Sequence, residues 1–147
     1  MKPKDPNYAA RVRDSFGRQR LMATIGAELT EVGPGVVTIR LPFREDLTQQ
    51  HGFVHAGVIA SVADSACGYA ALSLMPADAG VLSIEFKVNM LAPAKGDAIV
   101  ARGTVIRAGR TIMVCRADVH AVTGNEEKLV AAMQGTMMVV EGRGLND

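Results

Sequence analysis

The spacing of apolar positions changes several times along the chain, and each change marks an element. Residues 8–22 (YAARVRDSFGRQRLM) scatter apolar side chains among five charges, which predicts a weak amphipathic helix, loosened at Gly17. Ala23–Glu31 and Gly35–Leu41 read as two strands joined by the turn Val32-Gly33-Pro34-Gly35. In the second strand Val37, Ile39 and Leu41 alternate with Val36, Thr38 and Arg40, so one face is buried. Residues 42–54 are polar and irregular. The run from Val58 to Met75 is then small and apolar on every side, as expected of a helix enclosed by protein, and Pro76 ends it. From Val81 to Leu91 the period becomes two, with Leu82, Ile84, Phe86, Val88 and Met90 opposite Ser83, Glu85, Lys87 and Asn89. Breaks at residues 93–96, 108–109 and 123–125 separate three further strands, 97–107, 110–122 and 128–140. The tail, EGRGLND, is expected to be loose.

This order predicts an α+β fold, an antiparallel sheet curled around one long helix. Its 147 residues fit a single domain spanning 1–147, with 1–22 as a helical leader and 141–147 as the tail. One sheet around one helix leaves edge strands and part of the helix uncovered, which predicts pairing with further copies, a dimer at minimum and a tetramer by extension.

Composition narrows the function. A net charge of +1 offers no basic surface for nucleic acid. Cys67 and Cys115 form no CxxC pair and read as reduced, buried thiols of a cytoplasmic protein. The amino-terminal stretch is charged and lacks the apolar core of a signal peptide. Residues 56–75 are long enough to span a bilayer, but they are rich in alanine and serine. Asp64 at their centre would cost about 2.5–3.5 kcal/mol on insertion, so no membrane span is expected. Gly-rich nucleotide fingerprints are absent.

Asp64 is the strongest chemical clue, because a carboxylate in an apolar helix is costly unless paired or used. Together with His55-Ala56-Gly57 nine positions earlier, it resembles the central helix of the hotdog-fold acyl-CoA thioesterases of the PaaI-like branch, in which a His-Gly-Gly motif opens the helix and an acidic residue follows. The stretch Ser83–Ala94, Gly96-Asp97 and Arg107-Ala108-Gly109-Arg110-Thr111 resembles the strands and turns that follow in that family, over about residues 23 to 140. Two positions depart: Ala56 stands where the family has glycine, and Gln49 where it often has asparagine. The resemblance implies a hotdog fold, hydrolysis of acyl-CoA without a cofactor, and a site shared between subunits with Ser83 on the Asp64 side.

The residues suit that chemistry. A helix start carries unpaired N–H groups at its positive end, so the N–H of Ala56 or Gly57 can hold an oxyanion, and the resemblance points to Ala56. Asp64 can act as general base or nucleophile, and Ser83 can hold a water. His55 has either a positioning or a direct role. Nine helical residues put His55 and Asp64 about 13.5 Å apart on opposite faces, so one helix cannot easily supply both to one site. Lys95, Arg107 and Arg110 lie near turns and can meet the phosphates of coenzyme A, or remain solvated surface charge. His51 and His55 are four apart, yet no third ligand follows, so no metal site is expected. His120 reads as a strand residue. Two rivals to hydrolysis stand: a non-catalytic acyl-CoA binder or sensor, and a hotdog hydratase or dehydratase. The composition allows a medium aliphatic chain and a phenyl ring equally.

Overall fold

A computed structural model describes residues 1–145 and 147. In chain order the elements are α1 (Tyr8–Arg18), α2 (Arg20–Ile25), β1 (Glu28–Gly33), β2 (Val36–Pro42), a 3-10 turn (Glu45–Leu47), α3 (Ala56–Leu72), β3 (Ala79–Met90), β4 (Ala98–Ala108), β5 (Ile112–Thr123) and β6 (Glu126–Glu141). The six strands form one antiparallel sheet in the order β1-β2-β4-β5-β6-β3. It curves around α3, which packs on every strand from β2 to β3. This is the α+β hotdog architecture.

The inner face is apolar as the alternation in β2 requires: Val37, Ile39 and Leu41 are fully buried, in one core with Met113, Cys115, Ala117 and Val119 of β5. At Gly103 of β4 the helix comes closest. A Cβ there would collide with the Ala66 carbonyl and lie 2.8 Å from the Cys67 nitrogen. Only glycine lets backbone meet backbone at that spacing.

The leader differs from the expected single helix. It breaks at Gln19, whose ψ of 97° is extended, and α2 carries on to Ile25, so Ala23–Ile25 are helical and not the start of a strand. Met22 and Ile25 are both buried, three residues apart on one helical face, and Gly26 in the left-handed region (φ 78°) ends the helix. Arg11 anchors the leader to the far end of α3. Its guanidinium donates to the carbonyls of Leu72 (2.9 Å), Met75 (3.0 Å) and Pro76, at and just beyond the end of α3.

Three further expectations need correction. The alternation in β3 does not put its five apolar residues on one face, because a bulge between Ser83 and Glu85 shifts the register. Ser83 pairs with buried Met137 and Val88 with buried Met133, so both face α3, while Leu82, paired with Met138, faces outward. The tail is not wholly loose: the Asp147 carboxylate accepts the Val81 N–H at 2.7 Å and the Ser15 hydroxyl at 3.2 Å. Finally, α3 is not enclosed on all sides. Gly57, Ala60, Ser61, Asp64 and Gly68 form a stripe that the sheet does not cover, and Asp64 is half-buried. Among the described residues no helix is long and apolar enough to cross a membrane.

Candidate active site

The start of α3 is built by His55, the residue before its first turn. The His55 carbonyl accepts the N–H groups of Val58 (3.0 Å) and Ile59 (3.1 Å). Its ring Nδ1 accepts the Gly57 N–H at 2.8 Å, which places the ring proton of the neutral form on Nε2. His55 therefore positions the helix start. The N–H between these bonded groups, that of Ala56, has no acceptor among the described residues, and Ala56 is exposed. A free donor at the positive end of a 17-residue helix is suited to a developing oxyanion.

Ala56 opens onto a cavity of about 260 Å³ that Gln49, Phe53, Ile59, Met90 and Pro93 also line. The turn before the helix holds Gln49 there. Its N–H donates to the Phe53 carbonyl (2.8 Å), and its side-chain Oε1 accepts the His51 N–H. The amide NH2 of Gln49 has no acceptor among the described residues.

Asp64 belongs to a different cavity. The Ser83 hydroxyl donates to Asp64 Oδ1 at 2.7 Å, an orientation set by its place opposite buried Met137, just before the bulge. These two line a space of about 130 Å³ with Gln19, Gly68, Tyr69 and Val81. Ala56 and Asp64 are eight helical residues apart, a rise of about 12 Å. The structure thus unites Gln49 with Ala56, and Asp64 with Ser83, but keeps the two pairs in separate cavities of one protomer.

The candidate cations are not brought together. Lys95 lies in the loop before β4, beside Ala94 at the Ala56 cavity, whereas Arg107 and Arg110 lie at the other end of that strand, about 35 Å along it. Both thiols are buried in the sheet–helix core, and desolvation pushes their pKa up, to about 12 for Cys115. His120 sits on β5 beside Arg102 (3.3 Å), which pairs with Glu127. Among the described residues no cluster of three or more His, Cys, Asp or Glu could hold a metal.

Gln19 and Tyr69 at the Asp64 cavity were not indicated by the sequence, because a helix break and a tertiary contact bring them there. Gly68 did leave a trace: a glycine inside a helix costs about 1 kcal/mol relative to alanine and calls for a reason.

Comparison with known proteins agrees with this architecture. The Thioesterase superfamily profile matches residues 51–128, more than half of the chain. The crystal structure of a thioesterase family protein from Silicibacter pomeroyi superposes with a TM-score of 0.90 at 50% identity, covering 92% of this chain and 99% of that one. A Halobacterium salinarum protein named only as a candidate esterase is 32% identical over 120 residues, 78% of each chain. The 1,4-dihydroxy-2-naphthoyl-CoA hydrolase of Listeria monocytogenes is 28% identical over 123 residues, 84% of this chain and 98% of that enzyme. The chain is a member of the thioesterase superfamily, in its hotdog-fold form.

Proposed function

We propose that the protein hydrolyses acyl-CoA thioesters, at sites formed where the Ala56 N–H of one copy meets the Asp64–Ser83 pair of another. The observation that carries this is the uncommitted Ala56 N–H at the head of α3, with the only carboxylate on that helix lying two turns further on, in a cavity of its own. A second copy is favoured by the surface next to Asp64. Strand β3 is a sheet edge, and its Ile84, Phe86 and Met90 are 52%, 45% and 42% exposed beside the open stripe of α3. A long apolar edge of this kind is stable in water only when covered. A copy placed edge to edge with its α3 reversed covers it and carries Asp64 toward the Ala56 of its neighbour.

In this scheme a water held by Ser83 and Asp64 attacks the thioester carbonyl carbon, and the Asp64 carboxylate takes its proton. The oxygen that gains the electron pair becomes the oxyanion and is held by the Ala56 N–H. Collapse breaks the C–S bond, and the departing CoA sulfur receives the proton from Asp64. Direct attack by the Asp64 carboxylate, giving an anhydride that water then cleaves, uses the same groups. CoA as the thiol is supported by the Listeria relative, which is named for a CoA ester. Lys95, beside the Ala56 cavity, is positioned to meet a CoA phosphate. Arg107 and Arg110 can do so only across a subunit boundary.

The test is release of CoA thiol from short, medium, long and aryl acyl-CoAs by the native protein and by Asp64→Asn. The expected result is turnover of one class and a loss of about 10²–10⁴-fold in the variant. Binding of acyl-CoA without turnover would instead make the protein an acyl-CoA sensor.

A further inference from the structure

The cavity beside Asp64 is larger than one water and a thioester carbonyl require, and its far wall comes from the amino-terminal leader. Gln19, at the break between α1 and α2, reaches α3 there: its Oε1 accepts the Ser65 hydroxyl at 3.2 Å. That bond fixes the amide plane and leaves the Gln19 NH2 without an acceptor among the described residues, while Gln19 lines the cavity. Gly68 lies one helical turn beyond Asp64 on the same side of α3, and a Cβ built on it meets nothing within 4 Å. The contrast with Gly103 is informative. Gly103 is required by close backbone packing, whereas Gly68 keeps space open at a cost to its helix.

We infer that this space receives the far end of the acyl group, and that Gly68 and Gln19 determine specificity: Gly68 leaves room for the tail and Gln19 donates a hydrogen bond to an uncharged oxygen on it. The inference rests on the thioester-hydrolase reading above. The volume, about 130 Å³, is close to the roughly 150 Å³ of a cavity that accepts one benzene ring. A compact tail of that size fits it. The oxygen is uncharged because Asp64 and Asp147 both line the space, and two carboxylates repel a third. A carbonyl or hydroxyl oxygen satisfies the Gln19 donor, whereas a plain hydrocarbon tail leaves it unpaired.

The experiment compares acyl-CoAs of equal length with and without a keto or hydroxyl oxygen near the tail end. Each is measured as kcat/KM for hydrolysis and, as its non-hydrolysable thioether analogue, as Kd by calorimetry. Native protein, Gln19→Leu and Gly68→Ala are used as full-length chains. The expected native preference for the oxygenated member is tenfold or more. Gln19→Leu abolishes that preference by lowering the oxygenated member alone, and Gly68→Ala lowers the bulkiest accepted tail selectively while melting no earlier than native. If nothing is hydrolysed, the hydrolase reading fails, but thioether selectivity lost in Gln19→Leu still supports the pocket. The inference is overturned if native protein shows no preference in either measurement, if no analogue binds, or if Gln19→Leu depresses both members alike.

Discussion

His55 Nδ1 accepts the Gly57 N–H at 2.8 Å, and the donor left between the two residues is that of Ala56. Ala56 is the first residue of α3, the helical position where proline is best tolerated, and His55 already has the extended backbone (φ −59°, ψ 137°) that a following proline demands. Ala56→Pro therefore deletes one N–H and little else. The expected outcome is an unchanged melting temperature with kcat down by about 10²–10³-fold, the cost of one oxyanion donor. Thermal unfolding and CoA-release assays on the same preparation check both halves.

Sharing of the site between copies has a sharper consequence. Ala56→Pro and Asp64→Asn chains are each expected to be inactive alone. Unfolded together and refolded, half the dimers are mixed, and each mixed dimer contains one site with both native groups. Activity should return to about a quarter of the native value. No recovery above the separate variants would mean that each chain serves its own site.

The approach of α3 to β4 sets a stability prediction. Gly103→Ala forces a methyl group into the Ala66 carbonyl, and neither backbone segment can yield without shifting the sheet or the helix. Destabilisation of about 1–3 kcal/mol is expected, the range for overpacked cores, readable as a lower urea midpoint.

The two thiols predict an alkaline limit. Burial raises Cys115 from the ordinary 9.0 to about 12, and Cys67 further. Between those values the unfolded chain has released its thiol protons and the folded chain still holds them. Stability is thus complete below about pH 9 and falls as pH rises toward 12. Urea unfolding at pH 8, 9 and 10 should show the decline, and replacing Cys115 with alanine should make it shallower, leaving the contribution of Cys67. Thiol reagents at pH 8 should label neither cysteine in the folded protein and both after unfolding.

Much of this architecture was legible because individual stretches carry one unambiguous period. The long apolar run could only be a helix, and Val37, Ile39 and Leu41 could only line a strand's inner face. Ala23–Ile25 was misjudged because Met22 and Ile25 express their helical spacing over barely two turns, too little to outweigh the strand pattern that follows. His55-Ala56-Gly57 and Asp64 stood out by chemistry, since neither a capping histidine nor a carboxylate is expected in such a helix without a reason. The open stripe of α3 was hidden: alanine, serine and glycine look alike whether covered or bare. Gln19 was invisible for another reason, being one glutamine among several until the fold brings it to Asp64.

The extra residue in β3 works as a phase switch. On either side of it the strand keeps the same alternating letters, yet the face those letters address is exchanged, so Leu82 points outward before it and Val88 inward after it. Ile84 is the residue skipped in the pairing with β6, so it absorbs the change of phase while Ser83 stays opposite Met137 and within reach of Asp64. In this chain the odd-numbered Ser83 and the even-numbered Phe86 and Val88 therefore address the same face, which a strict period of two would have assigned to opposite ones.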